Sequence, residues 1–111
     1  MRKIELDMVA AVIEKRNWRR DNTAVIWNDE RTACHVNLHG NLIAILEGRE
    51  LTLLDGGWRS NTTKSRLNAL NHAFGLALIY QRQGVWYTDV APGLKQEFTV
   101  GRHWLTREYA A

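Results

Sequence analysis

One change of hydrophobic period organises this chain. Near the N-terminus Ile4, Met8, Val12 and Ile13 recur at three-to-four spacing around Ala10 and Ala11, which predicts a helix over residues 5–16. The basic residues Lys15, Arg16, Arg19 and Arg20 fall near its end, where positive charge suits the helix dipole. From Thr23 onward the period is two. Residues 23–27 form a β-rich run, and Asn28-Asp29-Glu30-Arg31 is a polar turn. Residues 33–38 alternate, with Cys34, Val36 and Leu38 on one face and His35 and Asn37 on the other. A turn at His39-Gly40-Asn41 leads to residues 42–46, which are apolar on both faces and therefore need cover. Residues 51–54 make a fourth strand. Loops this short cannot hold crossover helices, so the strands must run as an antiparallel meander.

Asp55-Gly56-Gly57 ends that run. Asn61, Thr62 and Thr63 offer side-chain oxygens to cap a second helix reaching about residue 74, with Leu67, Leu70 and Phe74 as its apolar stripe and Gly75 after it. Residues 76–82 and 85–90 read as a hairpin around Gln83-Gly84. After the turn at Pro92-Gly93, the alternation of Leu94, Gln96, Phe98 and Val100 predicts a last short strand. The tail beyond Gly101, with His103, Trp104 and Tyr109, carries no assignable pattern. The expected fold is α+β. It is a single domain over residues 1–111, in the order α-β-β-β-β-α-β-β with a possible final strand. A single antiparallel sheet of about six or seven strands has its helices on one face.

Composition narrows the function classes. Of 111 residues, 45% are hydrophobic and 24% charged, which excludes disordered, collagenous and coiled-coil chains. Fifteen Lys+Arg against twelve Asp+Glu leave +3, which permits an acidic partner without demanding one. No apolar run is long enough to span a bilayer, so no membrane partner is expected. Glu5 and Asp7 interrupt the N-terminus, so it does not read as a secretory signal, and the expected location is the cytoplasm. The one cysteine, Cys34, excludes an internal disulfide framework.

Several stretches resemble small proteins encoded by tailed bacteriophages. They are Asn22-Thr23 with Val25, then Leu38-His39-Gly40-Asn41-Leu42-Ile43-Ala44, and Leu51-Thr52-Leu53. The most specific is Gly57-Trp58-Arg59-Ser60-Asn61-Thr62-Thr63-Lys64-Ser65-Arg66-Leu67-Asn68-Ala69-Leu70, and the hairpin Tyr80-Gln81-Arg82-Gln83-Gly84-Val85-Trp86-Tyr87 also looks like theirs. The similarity covers residues 8–101. It implies an origin, a viral accessory protein made in the cytoplasm of an infected bacterium, and no mechanism.

Most catalytic chemistries find no support. Cys34 and His35 point to opposite faces of a strand and cannot share a metal ion. Ser60 and Ser65 lack the glycine frame of a nucleophile elbow, and the acidic residues sit in or near turns. No Walker or Gly-x-Gly-x-x-Gly pattern is present. No enzyme activity, metal or cofactor is expected.

What remains is a binding surface. The start of the second helix carries Thr62 and Thr63 with Arg59, Lys64 and Arg66, a workable phosphate or carboxylate anchor. Trp27, Trp58 and Trp86, joined by Tyr80 and Tyr87 and interleaved with Arg59 and Arg82, suit the stacking of single-stranded nucleic acid. Trp86 and Tyr87 point in opposite directions, so at most one lies on the core side. The expectation is a non-enzymatic nucleic-acid-binding module in which Arg59, Thr62, Thr63, Lys64 and Arg66 hold phosphates and Trp58 or Trp86 stacks, with affinity falling steeply in salt. The alternative is an inhibitor directed at a bacterial defence or transcription protein. Both readings require that nothing inside the molecule consumes those cations. The oligomeric state stays open.

Overall fold

The computed structural model describes residues 1–106, with residues 102–105 by backbone alone; Tyr109 lies outside the described residues. Helix α1 spans Lys3–Ile13 and buries Met8, Ala11 and Val12. It ends earlier than the periodicity predicts. The Arg16 N–H bonds the Ala11 carbonyl at 3.1 Å while Lys15 turns left-handed at φ 56°, which closes the last turn. Five strands follow: β1 Trp18–Arg20, β2 Thr23–Trp27, β3 Ala33–Leu38, β4 Asn41–Glu47 and β5 Glu50–Leu53. Strand β1 is absent from the sequence expectation because its three residues include Arg19 and Arg20, which read as helix-terminal charge.

Helix α2 spans Asn61–Ala73, and β6 Tyr80–Arg82, β7 Val85–Ala91, β8 Leu94–Glu97 and β9 Arg102–Leu105 complete the chain. The fold is α+β with antiparallel strands, as expected, but the strands divide between two sheets. One has six strands in the order β1-β2-β3-β4-β5-β9, and the other has three in the order β6-β7-β8. The reason is edge competition. Strand β9 returns to pair with β5, Leu51 opposite Trp104, after the Gly101 N–H bonds the Leu53 carbonyl at 2.8 Å. That edge is then closed to β6.

Strand β6 also begins later than predicted. Asn68 of α2 accepts from the Ile79 N–H at 2.7 Å and donates to the Ile79 carbonyl at 2.8 Å. Its side chain thus takes the backbone groups that a longer strand would pair.

The core lies between the six-stranded sheet and the two helices. Val25, Val36, Ala44 and Leu53 align across four strands by register, and all are buried. They belong to one core cluster with Met8, Val12, Leu67 and Leu70 of the helices, each large side chain contributing about 1.5–3 kcal/mol. Trp27 sits in the same cluster and donates its indole N–H to the Ala11 carbonyl at 3.2 Å. The inner face of the three-stranded sheet adds Trp86, whose ring meets Phe98 at a centroid distance of 5.7 Å.

Candidate functional site

Helix α2 begins at Ser60, whose hydroxyl accepts the Thr63 N–H at 3.0 Å. Thr63 in turn lies against the Ser60 hydroxyl and donates to the Trp58 carbonyl at 3.2 Å, so it is buried and internally satisfied. The cap is therefore Ser60 rather than the side-chain oxygens of Asn61, Thr62 and Thr63 expected from sequence.

The cations of this turn are together in sequence but not in purpose. Arg66 is buried at 3% exposure. Its guanidinium bonds Glu5 Oε2 at 2.8 Å, Thr23 Oγ1 at 3.0 Å and Asn22 Oδ1 at 3.4 Å. Burial alone would raise the Glu5 carboxyl, but the Ser65 hydroxyl, the Arg66 guanidinium and the Arg2 amide hold it below the usual range. Arg66 is thus a structural clamp between α1, α2 and β2, and the expectation that it holds a ligand phosphate is corrected.

Arg59 pairs with Asp55 at 3.2 Å and reaches the Phe98 carbonyl at 3.4 Å. Its guanidinium carbon also lies 5.4 Å from the Trp86 ring centroid and 5.3 Å from that of Phe98. Trp86, at 1% exposure, has no face to offer a base, which corrects its expected stacking role. Lys64 donates to Gln81 Oε1 at 3.1 Å.

What the turn leaves open is Trp58, 75% exposed, beside a groove of about 340 Å³ that Thr62, His39 and Ile43 help to line. The loop under Trp58 is fixed. The Trp58 N–H bonds the Asp55 carbonyl, and the Trp58 carbonyl accepts from Ser60 and Thr63. Gly56, at φ +67°, packs so closely that a Cβ there would lie 3.2 Å from the Asn41 Cβ. A substitution at Gly56 would meet backbone strain and a tight contact that requires Asn41 or Ile43 to give way slightly.

A second surface lies on the outer face of the three-stranded sheet. Gln83 and Gly84 both have positive φ, 51° and 80°, which closes a two-residue hairpin turn. That turn places Tyr80 opposite Tyr87, with ring centroids 6.0 Å apart. The Arg82 guanidinium sits 5.3 Å from the Tyr80 ring centroid and the Lys95 ammonium 4.7 Å from that of Tyr87. Tyr80 donates its hydroxyl to Asp89 Oδ1 at 2.8 Å, and this bond together with burial raises the Tyr80 phenol. These residues line an open concavity of about 600 Å³. Glu97 pairs in register with Tyr87 and shares this face, so its charge is balanced rather than basic.

Sequence reasoning singled out Tyr80, Tyr87 and Arg82 as part of the aromatic set but missed Lys95 and the pairing itself. The signal was available. A two-residue loop at Gln83-Gly84 forces 82 opposite 85 and hence 80 opposite 87.

Cys34 is buried at 1% exposure, and burial pushes its thiol up to about 12, while His35 faces outward. Among the described residues no three His, Cys, Asp or Glu side chains gather as a metal site, and no helix is long and apolar enough to cross a membrane.

The six-stranded sheet under two helices, with its three-stranded outrigger, defines a small α+β protein with an exposed indole on the loop before α2 and an open concavity on the second sheet. Its lineage follows from sequence: residues 1–105 match the family described as Kyanoviridae Gp96 protein, so the chain belongs to that family of phage proteins. No curated protein and no solved structure matches it.

Proposed function

We propose that this phage protein binds single-stranded nucleic acid on the outer face of the β6–β7–β8 sheet, within the infected bacterial cell. The observation that carries the reading is the Tyr80–Tyr87 pair, held at 6.0 Å on an open sheet with Arg82 and Lys95 against its rings. Tyrosines in this arrangement stack bases, and the two cations stand where a backbone phosphate would pass.

Asp89 and Glu97 on the same face temper the electrostatic contribution. With about two phosphate contacts on a single strand, log K falls against log salt with a slope of about −1.4, shallower than the sequence alone suggested. Anisotropy of a labelled ~10-nucleotide oligothymidylate tests the proposal. Tyr80→Ala and Tyr87→Ala are each expected to weaken binding by roughly 5- to 100-fold, the worth of one stacked base. A folded Tyr87→Ala protein that binds as tightly as the parent would end this reading.

A second reading is favoured by Trp58 alone. A 75% exposed indole on a loop whose backbone is already fixed resembles the anchor of a protein interface. On this reading the protein inhibits a bacterial protein, and a stoichiometric partner recovered from nuclease-treated lysate is lost with Trp58→Ala. Recovery that disappears with nuclease, or that ignores Trp58, counts against it.

A further inference from the structure

A third concavity, of about 420 Å³, opens where α1 and α2 end beside the β2–β3 and β4–β5 turns. Val12, Trp27 and Leu46 give it an apolar floor, and each belongs to the buried core. Lys15, Arg31 and Arg49 stand around it, and among the described residues no carboxylate lines it. Glu14, Glu30 and Glu50 adjoin these cations in sequence but do not line the concavity, and Glu14 is engaged by Arg16 at 2.8 Å.

The backbone supplies an independent observation. Lys15 and Arg31 are both left-handed, at φ 56° and 59°. Lys15 holds the position after α1 where the 3.1 Å bond from the Arg16 N–H to the Ala11 carbonyl closes the helix, a position that glycine ordinarily fills. Arg31 ends the β2–β3 turn, its N–H bonded to the Asn28 carbonyl at 3.1 Å. Each site tolerates glycine or asparagine at lower strain, yet each carries a cation at the mouth of the same apolar concavity. Arg49 is oriented by donating through Nε and Nη2 to the Thr106 carbonyl at 3.3 and 2.8 Å, and Arg31 by donating through Nη1 to the Asn28 carbonyl at 3.1 Å. Lys15 has no partner among the described residues.

The geometry points to a binding site for a small amphiphilic anion, an organic molecule with an apolar body seated over Val12, Trp27 and Leu46 and a carboxylate, sulfonate or phosphate head held by Lys15 and Arg31. This site shares no residue with the Tyr80–Tyr87 face and stands or falls separately from it.

The probe is 8-anilinonaphthalene-1-sulfonate, followed by its fluorescence on titration into the full chain. The expected result is saturable binding at one site, displaced by octanoate and at least about tenfold less effectively by 1-octanol, which lacks the charge. The double variant Lys15→Gly/Arg31→Gly is expected to bind the probe at least about tenfold more weakly, while its thermal midpoint stays level or rises because glycine relieves both left-handed residues. Lys15→Asn/Arg31→Asn, which also tolerates that backbone region, repeats the measurement should the glycine variant fold poorly. The inference is overturned by no saturable binding, by equal displacement with octanol and octanoate, or by unchanged affinity in a folded double variant.

Discussion

Replacing Glu5 by Gln strikes the one buried ion pair among the described residues. The side chains of Glu5 and Arg66 are only 3% and 4% exposed. Arg66 keeps Thr23 and Asn22 as neutral partners in the variant, but its charge loses the carboxylate that balances it. Breaking a buried pair from one side costs about 3–5 kcal/mol, and the glutamine amide oxygen can still accept one bond, so about 3 kcal/mol is expected. Against a typical domain stability of about 5–15 kcal/mol that is a large share. With a urea dependence near 1.5 kcal/mol per molar, the unfolding midpoint moves down by ~2 M. Tryptophan emission reports it, because Trp27 and Trp86 are buried.

The acid limb supplies a second readout. The folded carboxyl of Glu5 titrates below its ordinary 4.5 despite burial. Its contribution is therefore complete above about 4.5 and is lost as pH falls through the lower folded value. The Asp7 carboxyl is also lowered, by its bond to Lys3 and by Arg20, so the parent keeps some acid sensitivity from that exposed group. The difference between parent and Glu5→Gln isolates the buried pair: it should shrink as pH drops below 4.5. A midpoint shift under ~0.5 M at neutral pH, or a difference that does not change with acid, would refute the clamp.

Trp86→Ala is expected to lower stability by about 3–5 kcal/mol in the same urea assay, because it empties the contact between Phe98 and the Arg59 guanidinium. Asn68→Ala removes both bonds to Ile79 and should cost about 2 kcal/mol, with amide exchange rising first at Ile79 and Tyr80. Cys34 should resist Ellman's reagent in the native state and react fully in urea, since burial holds its thiol near 12; rapid native reaction would contradict its place under the sheet.

Much of the fold was legible because it is local. Alternation at Cys34, Val36 and Leu38 is a property of six consecutive residues, and each of the first hairpins is set by its own turn. The division into two sheets is not local. It depends on the chain beyond Gly101 reaching the edge of β5, a pairing of Leu51 with Trp104 that no window of sequence contains. The same holds for the start of β6, where propensity predicts strand from Leu76 but the Asn68 amide, eleven residues earlier, takes the backbone bonds of Ile79. Side-chain competition for backbone groups is invisible to period and propensity alike.

The site divides along the same line. That Trp86 and Tyr87 face opposite ways follows from strand geometry, and the Gln83-Gly84 turn then places Tyr87 against Tyr80. The fate of Arg66 does not follow, because its carboxylate lies 61 residues away on α1. A basic run such as Arg59, Lys64 and Arg66 reads as one positive surface only if each charge is free, and here Asp55, Gln81 and Glu5 each engage one of them. The Tyr80–Tyr87 pair, half-buried and bracketed by Arg82 and Lys95, lies on the side of β7 opposite the core-facing Trp86. That difference is why the Tyr80–Tyr87 face, rather than the helix start, is where a ligand test should begin.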